Sequence, residues 1–106
     1  MRTLLVFGPQ DDPRREQQLL AVEAEPRAAA ERELLLVDVA ARPDAPALRD
    51  HYDVSEPFAV LLIGHDGMER ERWPHPVSAA ELWAVVDASP MRRAEALGEF
   101  DVDESW

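Results

Sequence analysis

Ser55-Glu56-Pro57-Phe58-Ala59-Val60-Leu61-Leu62-Ile63-Gly64-His65-Asp66-Gly67 is the stretch from which the fold is read. Phe58 to Ile63 is an unbroken apolar run, too short for a helix and without the alternation of a half-solvated strand. Such a run suits a strand covered on both faces. His65-Asp66-Gly67 is a turn signal, with Gly67 free to take positive φ. Met68-Glu69-Arg70-Glu71-Arg72-Trp73 follows as a more polar strand, so the two form a hairpin. Pro57 stands before the buried strand, where it removes a backbone donor and holds Glu56 extended.

Working outward, the N-terminal half supplies the partners of that hairpin. Thr3 to Phe7 is a short apolar strand, and Gly8-Pro9-Gln10-Asp11-Asp12-Pro13 is a loop entering a helix. Asp12 is placed to cap its first turn and Pro13 to occupy the first helical position. Arg14 to Glu25 carries Gln18, Leu19, Ala21 and Val22 at helical spacing; Pro26 breaks it, and Arg27 to Arg32 forms a second piece. Leu34 to Val39 is a second buried strand. Strand, helix and strand in this order predict a right-handed crossover with parallel strands. A Pro-rich connection, 40–46, leads to a short helix over Ala47 to Tyr52.

Beyond the hairpin, Trp73-Pro74-His75-Pro76 ends the last strand, because two prolines cannot continue a ladder. Ser78-Ala79-Ala80-Glu81 has the form of a capping box. Ala80, Leu82, Val85 and Val86 then make an apolar stripe. Ser89-Pro90 repeats the start signal for a short terminal helix, Met91 to Leu97. Gly98 to Trp106 is an acidic tail without periodicity, expected to be disordered. The domain proper is therefore expected over 1–97, with 98–106 as the tail.

Composition narrows the function. The 106 residues hold twenty-two carboxylates against eleven cationic side chains, all Arg, for a formal net charge of −11. Nucleic acid and anionic membrane surfaces are disfavoured as partners, since both demand clustered positive charge. There is no Cys, which removes disulfides, thiol redox chemistry and thiolate metal sites. No segment reaches the roughly 20 apolar residues of a membrane span, and no signal-peptide core precedes the acidic loop. The chain as written reads as cytoplasmic.

The order βαβ, short helix, ββ, helix, with Pro57 leading the hairpin, resembles the minimal thioredoxin fold. A more specific likeness lies in Val6-Phe7-Gly8-Pro9, Asp11-Asp12-Pro13-Arg14, Gln17-Gln18-Leu19, Leu62-Ile63-Gly64-His65-Asp66-Gly67, Ser78-Ala79-Ala80-Glu81-Leu82 and Pro90-Met91-Arg92-Arg93-Ala94-Glu95. Together these resemble the bacterial domain-of-unknown-function family 4174 over residues 2–97. The resemblance implies an α/β, thioredoxin-like domain with a four-stranded mixed sheet in order 2-1-3-4 flanked by helices. In that sheet the hairpin strands run antiparallel and parallel to the first, and Pro57 is cis. It carries no assigned activity. Where functional thioredoxins hold their thiols this chain reads Gly8-Pro9-Gln10-Asp11-Asp12, so the likeness does not extend to oxidoreductase chemistry.

The same strand order implies a rim. The loop with Gln10, Asp11 and Asp12, the Glu56-Pro57 step and the turn with Trp73 and His75 should meet at one end of the sheet. Trp73 would anchor a partner there, His75 would titrate near neutral pH, and the carboxylates would select a basic segment. Against this stand simpler roles: capping for Asp12, edge cover for Trp73. Arg92-Arg93, the only cationic pair outside Arg14-Arg15, is a candidate site for an anion or partner at the opposite end. Its plainer role is pairing with Asp87 and Glu95. His51, His65 and His75 lack ligand spacing, the four glycines make no phosphate loop, and no Ser sits in a nucleophile elbow. No metal or cofactor is expected. Two functions remain: a non-catalytic module binding an unidentified protein or peptide, or a thiol-independent enzyme using rim carboxylates and His75.

Overall fold

The computed structural model describes residues 1–89 together with 92 and 93. Four strands form one mixed sheet: β1 (Arg2–Phe7), β2 (Leu34–Asp38), β3 (Ala59–Ile63) and β4 (Glu69–Trp73), in spatial order β2-β1-β3-β4. β2 runs parallel to β1, β3 antiparallel to β1, and β4 antiparallel to β3. This is the 2-1-3-4 sheet expected from the sequence.

Among the described residues the sheet is flanked by α1 (Pro13–Glu23), α2 (Pro26–Glu31), α3 (Ala45–His51) and α4 (Ala79–Asp87), with a 3-10 turn at Val39–Ala41. The sheet separates two cores. Leu4, Val6, Phe58, Val60 and Leu62 pack with Val22, Leu82 and Val86, on the side of α1 and α4. Leu5, Phe7, Ala59, Leu61 and Ile63 pack on the other side, with Leu48 and Tyr52 from α3 and its C-terminal cap. Strand alternation thus sends successive residues of β1 and β3 into different cores. That is why both read as continuous apolar runs.

Local chemistry sets the element ends. Asp12 Oδ1 accepts from Arg14 N at 2.9 Å and starts α1, with Pro13 in its first turn. Pro26 separates α1 from α2, as expected. Ser78 Oγ accepts from Glu81 N at 3.1 Å and starts α4. The second half of the expected capping box is replaced: the Glu81 carboxylate accepts from Trp73 Nε1 at 3.2 Å instead. The buried stripe of α4 is Ala79, Leu82, Trp83 and Val86, whereas Ala80 is exposed and Val85 half-buried. A stripe through Ala80 would leave the larger Trp83 in solvent, and burying the indole gains more apolar area. β2 also differs from a fully buried strand. As a sheet edge it buries Leu34 but leaves Leu35 half exposed. α3 begins two residues earlier than expected and stops at His51. The expected helix Met91 to Leu97 lies largely outside the described residues, and the 98–106 tail wholly so.

Two features of the hairpin matter below. Gly67 has φ +81° in the turn, with open space around it. Gly67→Ala should therefore lower the unfolding free energy by about 1 kcal/mol through backbone strain alone, read as a shift in urea midpoint with unchanged slope. In β4, Leu62 pairs with Glu71 but Ile63 with Glu69. The register slips by one residue, and Arg70 is the extra residue of a bulge, which turns its side chain out of the ladder.

Candidate functional site

The three expected segments do converge. Phe7 pairs with Ala59 and Val60 with Trp73, so the end of β1, the start of β3 and the end of β4 lie at one end of the sheet. A Cβ on Gly8 would stand 3.1 Å from the Phe58 ring, which shows how closely the 8–12 loop covers the lead-in to β3.

The side chains at this rim are mostly engaged with one another. Both Asp12 oxygens accept from the Arg14 guanidinium, at 3.1 and 2.8 Å. Those bonds, then the Arg14 backbone N–H, hold the carboxyl below its ordinary range. Arg14 also stacks its guanidinium 5.0 Å from the Phe58 ring centre. Arg15 pairs with Asp38 at the end of β2 and donates to Gln10 O at 2.9 Å. Gln10 Nε2 donates to Ala40 O at 3.3 Å. Asp11 is exposed. Glu56 lies 3.8 Å from the Arg72 guanidinium, which also binds Glu69.

Two expectations at the rim are corrected. There is no cis peptide among the described residues, so the Glu56–Pro57 bond is trans. The trans form is favoured by about 0.5–1 kcal/mol for X–Pro. Here Arg49, on α3, also fixes the segment from the side. Its guanidinium donates to Glu56 O at 2.8 Å and to Pro57 O at 3.1 Å, with a longer contact to Val54 O at 3.4 Å. The carbonyls that a peptide strand would have used beside Pro57 are therefore taken. The second correction concerns Trp73. It is 7% exposed and belongs to the larger core, so it is not an exposed anchor. His75 remains exposed, with Nδ1 donating to Pro76 O at 3.0 Å. Arg49 was not singled out from the sequence. A lone Arg in the last turn of a short helix carries no pattern that reveals its carbonyl partners.

The opposite end of the sheet holds a cleft of about 730 Å³ between the hairpin turn and the C-terminal end of α4. Leu62, Val85 and Val86 form its apolar floor, and Arg2, His65 and Arg70 stand among its polar lining. Arg70 reaches it through the bulge: its Nε would lie 2.8 Å from a Cβ on Gly64, and its guanidinium pairs with Asp66. The Arg70 guanidinium and, more strongly, the Met68 backbone N–H hold the Asp66 carboxyl below its ordinary range. No motif announces this cleft, since its walls come from residues more than 80 positions apart.

Arg92 and Arg93 follow the cleft wall at Ser89. Arg92 donates to Glu31 O at 3.1 Å and lies 3.5 Å from Asp87, in the pairing role that its sequence position allows. Arg93 is exposed. Asp87 also takes both ends of Arg32, each at 2.9 Å, and Arg32 lies 5.0 Å over the Trp83 ring. The Arg32 hydrogen bonds, ahead of its charge and that of Arg92, lower the Asp87 pKa. A carboxyl with a depressed folded pKa contributes stability above its unfolded pKa of about 3.9 and loses it as pH falls through the folded value. Asp87→Asn should thus be less stable than the parent at pH 7, with the difference shrinking below about pH 4. Urea midpoints at pH 7 and pH 2.5 check the sign.

Among the described residues, no three His, Asp or Glu side chains converge as a metal-binding group, and no helix is long and apolar enough to cross a membrane. The chain was compared with known proteins. A family model described as a domain of unknown function, DUF4174, matches residues 1–95, and the chain belongs to that family. No curated protein and no solved structure matches it.

Proposed function

We infer that this member of the DUF4174 family is a non-catalytic binding module of thioredoxin-like fold, and that its partner docks at the hairpin-turn end. The cleft carries this reading. Its volume falls within the roughly 300–1,000 Å³ typical of ligand sites, and its make-up is theirs: an apolar floor with a few polar groups at the mouth. Exposed Arg70, paired there with Asp66, favours an anionic partner segment, in contrast to the basic one that rim carboxylates would select.

The rim supports docking less well. Trp73 is in the core, Arg49 holds the Glu56 and Pro57 carbonyls, and Asp12 is matched by Arg14. An enzyme built on carboxylates would gain from one with a raised pKa to serve as an acid near pH 7. The displaced carboxyls among the described residues, Asp12, Asp44, Asp66, Glu69 and Asp87, all move down. The loop 8–12 offers no thiol.

The test is capture of partners from the source cell by three forms of the full chain: parent, Arg70→Glu at the cleft and Asp11→Arg at the rim. A partner held by the parent and by Asp11→Arg but lost with Arg70→Glu supports the cleft. Loss with Asp11→Arg alone overturns it in favour of the rim. Turnover in a hydrolase screen that disappears with Asp11→Asn or His75→Gln overturns the non-catalytic reading.

A further inference from the structure

The two edges of the sheet are unlike. β4, at one edge, exposes Glu69, Arg70 and Glu71 and carries the bulge, features that keep an edge from pairing with another chain. β2, at the other, reads Leu34-Leu35-Leu36-Val37-Asp38, in regular register with β1. It has no proline and no bulge, and its one charge, Asp38, is held by Arg15. The ladder fixes which of its backbone groups face outward. Arg2 N donates to Glu33 O at 2.8 Å. Residues of a strand alternate between its two sides, so Leu35 and Val37 also bond toward β1, whereas Leu34 and Leu36 point N–H and C=O away from it. Among the described residues no strand lies beyond β2 to receive those groups. On the α3 side of the same edge, Leu35 is 50% exposed, next along that face from half-buried Val37.

We propose that this edge is a self-association surface: the β2 strands of two copies pair antiparallel about a two-fold axis at Leu35, joining two four-stranded sheets into one. The register follows from the outward groups. With Leu35 opposite Leu35, Leu34 of each copy faces Leu36 of the other, and each such pair exchanges both N–H···O=C bonds. Every outward group of Leu34 and Leu36 is then matched in both copies. The Leu35 pair is of the close, non-hydrogen-bonded kind, with Cα atoms about 4.5 Å apart, so the two half-exposed side chains cover each other. Charge favours the antiparallel sense. Arg32 precedes β2 and Asp38 ends it, and only antiparallel pairing sets the Arg32 end of one copy beside the Asp38 end of the other. Glu33 meets Val37, so no like charges stand opposite. A second copy fits because a two-fold contact needs one self-complementary patch, and this edge is one. The contact is short, in the weak class that buries less than about 1,200 Å² in total. The proposal goes beyond the cleft reading and does not depend on it, since no β2 residue lines the cleft.

The test is sedimentation velocity on the full chain over a concentration series reaching about 1 mM, where complexes with micromolar dissociation constants are formed. Leu35→Glu and Leu35→Lys are run beside the parent, with urea midpoints to show that both are folded. The parent is expected to pass from monomer to dimer. Each variant sets two like charges face to face and should weaken association by about tenfold or more. An equimolar mixture of the two sets opposite charges together and should associate more tightly than either variant alone. A second readout needs no substitution. Amide hydrogen exchange at Leu34 and Leu36 should slow as concentration rises, while that at Leu35 and Val37, whose N–H groups face β1, should change least. A parent that stays monomeric throughout overturns the proposal. So does association that both variants leave unchanged, a mixture no tighter than its components, or concentration-dependent protection centred away from Leu34 and Leu36. The two readings fail separately, because capture at the cleft is judged with Arg70→Glu and dimerisation with the Leu35 variants.

Discussion

Gln18→Ala is expected to lower the unfolding free energy by about 3 kcal/mol or more, from hydrogen-bond and cavity terms together. Gln18 is fully buried on α1, and its amide spans the core to the turn before α4. Oε1 accepts from Val77 N at 2.7 Å and Nε2 donates to Val77 O at 3.0 Å. The backbone groups of Val77 dictate which way the amide faces, because N–H only donates and C=O only accepts. Alanine would leave both buried groups unmatched, each at about 1–3 kcal/mol, in a fold whose whole stability is about 5–15 kcal/mol. Denaturant titration of the variant checks the loss. Gln18→Leu should be nearly as damaging, since it fills the space but matches neither group.

Gln18→Glu separates the hydrogen bonds from the volume. A protonated carboxyl reproduces the amide pattern, with O–H donating to Val77 O. The ionised form has no donor, and burial disfavours its charge, so the folded pKa lies above the unfolded value of about 4.3. A raised folded pKa contributes stability at low pH that is lost as pH climbs through it. The variant should therefore lie nearest the parent below about pH 4 and fall behind as pH rises toward 7. A deficit independent of pH would mean that the amide's hydrogen bonds matter less than its bulk.

Trp73→Ala should have a comparable effect, about 3–5 kcal/mol, the usual range for truncating a buried indole. Trp73 closes the end of β4 against the core shared with Val77, Leu82 and Trp83. Its Nε1 donates to Glu81, tying β4 to the first turn of α4. Trp73→Phe keeps a ring in that space and loses the hydrogen bond, so it should cost less, with about 1 kcal/mol from the bond itself. Exposed His75 supplies the contrast at the same rim, because His75→Ala should stay within about 0.5 kcal/mol of the parent. A Trp73→Ala protein with parental stability would return the indole to the surface and reopen the rim as a docking site.

Trp73 also shows where sequence reading stops. On β4, Glu71 and Trp73 have the parity of one strand face, yet Glu71 is exposed and Trp73 buried. The difference comes from residues 77–83, which fold over only that end of the strand. Charge pairing is similar. Asp11-Asp12 and Glu56 read as an acidic rim, and Arg14 beside Asp12 was visible in the sequence. Arg72 beside Glu56 arises only when β4 pairs with β3.

What the chain order alone settles is the set of features with short-range causes. Unbroken apolar runs placed β1 and β3 between two layers, and Gly67 closed the hairpin. Asp12 and Ser78 capped their helices, Pro26 broke one, and the order of elements gave a parallel β1–β2 pair, while the 2-1-3-4 order of the sheet was implied by the family resemblance. Each depends on backbone dihedrals or on periodicity within a few residues. The features that needed the assembled molecule have causes far away in sequence. Arg49 reached the carbonyls of Glu56 and Pro57 across a loop, Gln18 found Val77 59 positions on, and a one-residue slip in β4 swung Arg70 over a cleft walled by α4. A side chain's reach and charge are written in its type. Its partner is whatever the packed sheet and helices bring within a few ångströms, and no local pattern encodes that distance.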